Sequence, residues 1–276
     1  MKRKIIIAVA PVKNPGTPLP EHCINPVTPE QVAEQTIACA RAGACMVHLH
    51  VRDEHGNQTG DLTHFSRTID LIRLESEIII QGSTGGLSSL TLEERCVALN
   101  DERVQMASLN MGSTNFSEDV YINTLPDIRY WAQRMLDAHV VPECEIFNLS
   151  MIDTIHRLAR EGLIRRPIHY NFALGFESSL SAIPENLFYL KSSLPPNATW
   201  GLVHDNMTNF SLPATAIALG ATVIRVGFED SVYYREDRPA ESNAVLVERI
   251  RDVVERLGFE LATIEEAKQI LLSQNE

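Results

Sequence analysis

The sequence predicts an α/β chain folded as a (β/α)8 TIM barrel with an extra C-terminal helix, in one domain over residues 1–276. Three observations predict it. Short β-branched runs alternate with longer amphipathic segments along the whole chain. The strand-to-strand steps are even: seven of them cover 217 residues, about 31 each, which is the length a β-α-β crossover needs. No low-complexity stretch, charge run or Pro/Gly/Ser linker marks a second domain. A doubly wound open sheet is the competing arrangement. It is weakened because Pro11-Val12-Lys13-Asn14 follows the first strand where a G-x-G-x-x-G turn would stand.

The strand candidates are 5–10, 45–51, 78–83, 106–110, 141–147, 168–174, 199–203 and 222–226, each near the usual strand length. The first helix opens at Thr28-Pro29-Glu30-Gln31, a cap, a proline at the first helical position and a capping-box residue. Val32, Ile37 and Ala40 follow at helical spacing and Gly43 closes it. The second helix covers 61–74, and Thr91-Leu92-Glu93-Glu94 opens the third in the same way as the first. Segments 125–138, 150–161, 184–194, 212–219 and 243–257 complete eight, and a ninth helix, 263–272, begins at Thr263-Ile264-Glu265-Glu266. The longest irregular pieces, 11–26 and 227–242, follow the first and last strands and are candidate functional loops.

Composition narrows the function classes. With 36 acidic against 24 basic residues the chain carries a formal charge of −12. That disfavours nucleic acid, whose phosphates need a basic face, and anionic membranes. The five cysteines are scattered and form no C-x-x-C, which fits reduced thiols in the cytoplasm, with Cys39 and Cys45 as core filler. Met1-Lys2-Arg3-Lys4 is basic, but the apolar run 5–10 is too short for a signal peptide's central region. No stretch approaches the ~20 apolar residues of a membrane span. The expected location is cytoplasmic.

In a barrel enzyme the chemistry gathers at the C-terminal strand ends. Strand 2 ends in Val47-His48-Leu49-His50-Val51-Arg52-Asp53, so His48 and His50, two apart, point to the same side, with Leu49 and Val51 outward. Two inward imidazoles with a nearby carboxylate form a Zn²⁺-type site with open positions. Strand 8 ends in Arg225-Val226-Gly227-Phe228-Glu229-Asp230. Closure places strand 8 beside strand 1 and one strand from strand 2, so Glu229 can reach a metal held there. Arg225 near two acids points to one carboxylate on the metal and one acting as base, and Gly227 permits a turn that brings backbone close to a ligand. Ser83-Thr84-Gly85-Gly86 after strand 3 offers hydroxyls and exposed N–H groups to an anion. Ser108 and Asn110 put polar groups at alternate positions of strand 4. Glu143, Glu145 and Phe147 alternate on strand 5, where an inward Glu145 would need a partner or a substrate. Asn171 and His204 fall near the rim.

Taken together, Val47-His48-Leu49-His50-Val51-Arg52, Ser83-Thr84-Gly85-Gly86, Met106-Ala107-Ser108-Leu109-Asn110, Arg225-Val226-Gly227-Phe228-Glu229-Asp230 and Glu241-Ser242-Asn243-Ala244 resemble the β-keto acid cleavage enzymes. The resemblance covers nearly the whole chain, including Ile122-Asn123 and Leu261-Ala262-Thr263. It implies a zinc-dependent barrel, with another divalent metal as a possible occupant, that converts a β-keto acid and acetyl-CoA into acetoacetate and a new acyl-CoA. By similarity His48, His50 and Glu229 hold the metal, and the keto acid chelates it. Asp230, oriented by Arg225, removes the proton between the two carbonyls, and the metal stabilises the enolate as a Lewis acid. Ser83 and Ser108 match positions that contact substrate, with Ser83 counted among the catalytic groups, and Glu145 matches an acidic site position. Thr84, Gly85 and Asn110 stand beside them as substrate-binding candidates. The family also implies a homotetramer.

Members acting on an amino substrate carry Thr-Gly-Ala-Glu after strand 1, whose glutamate meets the amine. Here Pro11-Val12-Lys13-Asn14 has no acid, so the expected side chain is neutral or anionic, near Lys13. The loops after strands 6 and 7 also depart from the family's Gly-rich pattern, with Gly175-Phe176-Glu177-Ser178-Ser179 and Val203-His204-Asp205-Asn206. The alternative function is a metal-dependent C–C lyase or hydrolase of small oxo acids that uses the same site without CoA.

Overall fold

The computed structural model describes residues 3–86 and 89–273, so Met1 and Lys2 of the basic start lie outside the described residues. Eight parallel strands form the barrel: β1 (Lys4–Val9), β2 (Ala44–Leu49), β3 (Ile79–Gly82), β4 (Met106–Asn110), β7 (Val141–Ile146), β8 (His169–Leu174), β9 (Thr199–His204) and β10 (Val223–Val226). They pair in that order, and β10 closes onto β1 with Ala8 opposite Arg225. The sheet is closed and helix-coated, a TIM barrel as the spacing predicts.

The helices α1 (Pro29–Ala42), α2 (Thr63–Arg73), α4 (Leu125–Asp137), α5 (Ser150–Arg160), α6 (Pro184–Ser192), α7 (Ser211–Leu219) and α8 (Asn243–Arg256) fall where the amphipathic segments place them. Capping boxes form at Thr28, Thr91 and Thr263. The third crossover differs: its helix α3 is one turn, Leu92–Arg95, followed by a 3₁₀ turn, Val97–Asn100. The structure adds three short pieces that no periodicity reveals. They are the hairpin β5–β6 (Thr114–Phe116 and Asp119–Tyr121), the hairpin β11–β12 (Tyr233–Arg235 and Arg238–Pro239), and β13 (Glu260–Leu261), which pairs with the start of β1. At two or three residues each they are too short to carry an alternation. No helix among the described residues is long and apolar enough to cross a membrane.

Alternation along each strand divides the interior. Ile5, Ile7 and Val9 of β1 face the helices, whereas Ile6 and Ala8 face into the barrel. The inward positions then change character along the strands. Near the N-terminal ends they are apolar, with Ile6, Met46, Ile79, Met106, Val141 and Val223 forming a packed floor beneath α9 (Ile264–Leu271), whose Ala267 and Leu271 plug it. One step higher they are His48, Gln81, Ser108, Glu143, Asn171 and Arg225, all buried. The barrel is therefore a dry base carrying a polar upper layer, and burying those polar groups is costly unless they meet one another.

His169 ties β8 to α9 by a 2.8 Å hydrogen bond from Nε2 to the Leu271 carbonyl. Burial pushes its imidazole down to about 4. The unfolded chain, where histidine titrates near 6.5, binds more protons between those pH values, so stability falls as pH is lowered through them. Thermal melts should show this fall from pH 6.5 towards 4, with a shallower slope in His169→Gln. An unchanged slope in the variant would show that His169 does not carry it.

Candidate active site

The C-terminal strand ends enclose a cavity of about 350 Å³. His48 comes from β2, and His50 lies one residue beyond that strand's end. Both imidazoles face the cavity with Glu229, which follows β10. The Nε2 atoms of His48 and His50 lie 3.7 and 3.5 Å from Glu229 Oε1. Tetrahedral ligands about 2.0–2.1 Å from a zinc-sized ion sit roughly 3.3 Å apart, so the three groups match the donor set of a divalent cation. Their protonation matches too. Burial pushes His48 down to about 3 and lowers His50, leaving both rings neutral. Burial opposes charge on Glu229, but the two imidazoles and Arg225 outweigh it and hold the carboxyl well below the usual range.

Two glutamines steer the rings. His48 Nδ1 is 2.7 Å from Gln81 Oε1, an acceptor only, so the proton sits on Nδ1 and Nε2 is free to bind. The amide of Gln58 lies 2.9 Å from His50 Nδ1. Gln81 reaches His48 because β3 pairs with β2 in that register. As a polar residue inside the run Ile78-Ile79-Ile80-Gln81 it was visible in the sequence, whereas Gln58 arrives from a loop and carried no signal.

Beside the three donors stands a second group. Asp230 receives the Arg225 guanidinium bidentately, with Nε 2.8 Å from Oδ2 and Nη2 on Oδ1. Arg225 also lies 3.4 Å from Glu229 Oε1 and 3.7 Å from Glu145 Oε1. Burial would lower the arginine's pKa, but these carboxylates reverse the effect and raise it. Burial raises Asp230 despite Arg225, and pushes Glu145 up to about 8. The arrangement is a fixed cation beside two elevated carboxylates, of which Asp230 is the one it holds bidentately, and a raised carboxylate is the state a general base needs.

The turn carrying Glu229 and Asp230 depends on Gly227, at φ 137°. A Cβ there would meet the Ala10 carbonyl at 2.3 Å. The space beside this glycine is filled by Ala10, the residue after β1, whose carbonyl accepts the Glu229 N–H at 3.0 Å and so fixes the turn that the sequence expects at Gly227.

Ser83, Gly85, Asn110, Glu145 and Lys13 line the same cavity. Thr84 and Ser108 do not; they are buried behind it, and the Thr84 hydroxyl donates to the Ser108 carbonyl at 2.6 Å. Asn171 and His204, expected near the rim, do not line it either, and Asn171 instead donates to Glu143 at 2.8 Å. Lys13 Nζ donates to the Glu229 carbonyl at 3.0 Å. The wall also includes Asp205, pushed up to about 7 by burial, and the rings of Phe116, Tyr121, Phe147 and Phe176. Loop rings and loop acids have no periodicity to announce them. Removing Arg225 would leave three carboxylates facing one another in a dry site. Arg225→Ala should therefore cost about 3–5 kcal/mol in urea unfolding, and a loss below about 1 kcal/mol, typical of an exposed pair, would contradict this arrangement.

Comparison with known proteins agrees with the geometry. The family model described as beta-keto acid cleavage enzyme matches residues 4–272. The 3-keto-5-aminohexanoate cleavage enzyme of Fusobacterium nucleatum is 38% identical over 248 residues, 89% of this chain and 90% of its own. The Acetoanaerobium sticklandii protein of the same name is 39% identical, over 91% and 92% of the two chains. The 3-oxoadipate:acetyl-CoA acetyltransferase of Cupriavidus necator is 35% identical over 92% and 90%. Among solved structures, the binary complex of ObcA with oxaloacetate shares the fold with a TM-score of 0.77 at 20% identity, over 90% of this chain and 67% of that one. With a family model spanning nearly its whole length and relatives this similar end to end, the chain belongs to the β-keto acid cleavage enzyme family.

Proposed function

We propose that this protein is a divalent-metal enzyme, with zinc the expected ion, that exchanges the acyl group of a β-keto acid with acetyl-CoA. The products are acetoacetate and a new acyl-CoA. The observation that carries this reading is the placement of the His48–His50–Glu229 donor set and the Arg225–Asp230 pair on one cavity wall. The relatives' names support the reaction class: they act on 3-keto-5-aminohexanoate and 3-oxoadipate, the latter with acetyl-CoA.

A dication held by His48, His50 and Glu229 supplies Lewis-acid polarisation of the keto acid's oxygens. Asp230 takes the proton from the carbon between the keto and carboxylate groups. That proton is already acidic, and a carboxylate raised by burial is matched to it. Arg225 keeps Asp230 aimed through two hydrogen bonds and balances the charge that remains. Ser83 and Asn110 face the same space and offer donors to developing oxyanions. The resulting carbanion attacks the thioester carbonyl, and CoA thiolate leaves. The thiolate then adds to the original keto carbon. The bond between that carbon and its α-carbon breaks, and Asp230 returns its proton to the acetoacetate that departs. Atoms and protons balance without a redox partner.

Three outcomes follow. Asp230→Asn should lower kcat by roughly 10²–10⁴-fold while metal content by elemental analysis stays at the parent level. Chelation should abolish turnover, and Zn²⁺ or another divalent ion should restore it. Gln81→Leu should weaken metal retention against a competing chelator about 10–100-fold, because the His48 tautomer loses its partner. Metal-dependent cleavage of the keto acid with no thioester present would instead favour a lyase or hydrolase.

A further inference from the structure

We propose, resting on the reaction just described, that the keto acid taken by this site carries an uncharged hydrocarbon chain packed against an aromatic wall. Phe116, Phe147 and Phe176 come from the β5–β6 hairpin, the end of β7 and the loop after β8. All three line the cavity. Phe116 and Phe176 stack at 5.0 Å with 2° between planes, and each meets Phe147 nearly edge-on at 5.4 Å. Rings this close are in contact with one another and leave no box between their faces, so they form a wall for hydrocarbon rather than a cage for a quaternary ammonium.

The charges of the cavity argue the same way. Its cations are Lys13 and Arg225, facing Glu145, Glu177, Asp205, Glu229 and Asp230. Arg225 is held by three of those carboxylates. Lys13 donates to the Glu229 carbonyl and lies in the field of Asp205 and Asp230. Acids outnumber cations around the cavity, so a second carboxylate on the substrate would add to an excess of negative charge. An amine on the Lys13 side would meet a lysine, and Asn14 beside it is engaged by Arg52 at 2.8 Å. Expectation from sequence allowed a neutral or an anionic chain; five acids against two cations around the cavity, with a wall of rings beside them, favour the neutral one.

The two sides of the cavity also differ in cover. On the aromatic side the rim residues Ser117 and Glu177 are exposed, but Phe147 is buried, Phe116 and Phe176 are half-buried, and the Ser117 N–H donates to the Glu177 carbonyl at 3.0 Å. On the Lys13 side Asn14, Thr17 and Asn206 are exposed. A long pantetheine arm needs the open side. A short acyl chain fits the covered one, where desolvation by the rings rewards each methylene and penalises a charge.

The test uses the full-length metal-loaded enzyme with acetyl-CoA and a panel of β-keto acids. Alkyl members run from 3-oxopentanoate to 3-oxoheptanoate. Charged members bear a terminal carboxylate, a primary amine or a trimethylammonium group. In kcat/KM the alkyl series should rise about fourfold per methylene, with every charged member at least tenfold below the best alkyl acid. Phe176→Ala should flatten the alkyl series, and Phe176→Leu, which keeps an apolar surface, should retain most of it. If acyl-CoA forms but a charged acid is preferred, or the alkyl series is flat in the parent enzyme, the inference falls and the reaction assignment stands. If no member yields acyl-CoA, both fall.

Discussion

Arg225 is the interaction on which the site depends. A buried carboxylate is expensive, and three of this cavity's acids meet one guanidinium: Asp230 in a bidentate pair, Glu229 and Glu145. Only a planar, permanently charged fork can meet acids in several directions at once. The barrel makes this possible by placing Arg225 on an inward position of its last strand, opposite Ala8 of the first, where the small side chain leaves room for it. Everything chemical then follows from how the acids divide their roles. Glu229 faces His48 and His50 and is held ionised, while burial raises Asp230, as its proposed role as general base requires.

The same arrangement resolves the global charge. A chain at −12 has no general attraction for the anionic keto acid and CoA proposed as its substrates. The site answers locally, with Arg225, Lys13 and a donor set shaped for a dication at the mouth of an otherwise acidic protein. Screening over about 8–10 Å confines distant surface acids to a minor part. Below the polar layer the apolar floor and α9 close the lower barrel, and within the layer His48 meets Gln81 and Asn171 meets Glu143.

Much of this was legible in the sequence. Even strand spacing foretold the barrel, because each crossover must span a similar distance. His48 and His50 shared a side because a strand has period two, and Arg225, Glu229 and Asp230 fell at the strand end that closure brings near them. Other features left no such trace. Thr84 and Ser108, candidates for substrate contact with Ser108 named through the family resemblance, lie outside the cavity lining, where the Thr84 hydroxyl bonds the Ser108 carbonyl. Gly227 announced a turn, but its close backbone neighbour, Ala10 after the first strand, did not show in the sequence. The ring wall is assembled from three segments far apart in the chain, and its hairpin is too short to show alternation. Gln81 stood in plain view as a polar residue in an isoleucine run, but its purpose depended on register with His48, which spacing alone does not supply.

The central claim is that one cavity transfers acyl groups between a keto acid and CoA. Isotope tracing tests it most directly. Acetyl-CoA carrying ¹³C in its acetyl group is supplied with an unlabelled β-keto acid and the metal-loaded enzyme, and the products are read by mass spectrometry. The account predicts that the label moves into the methyl-ketone carbons of acetoacetate while the new thioester carries the keto acid's own unlabelled acyl group. Label retained in acetyl-CoA while the keto acid is cleaved would contradict it.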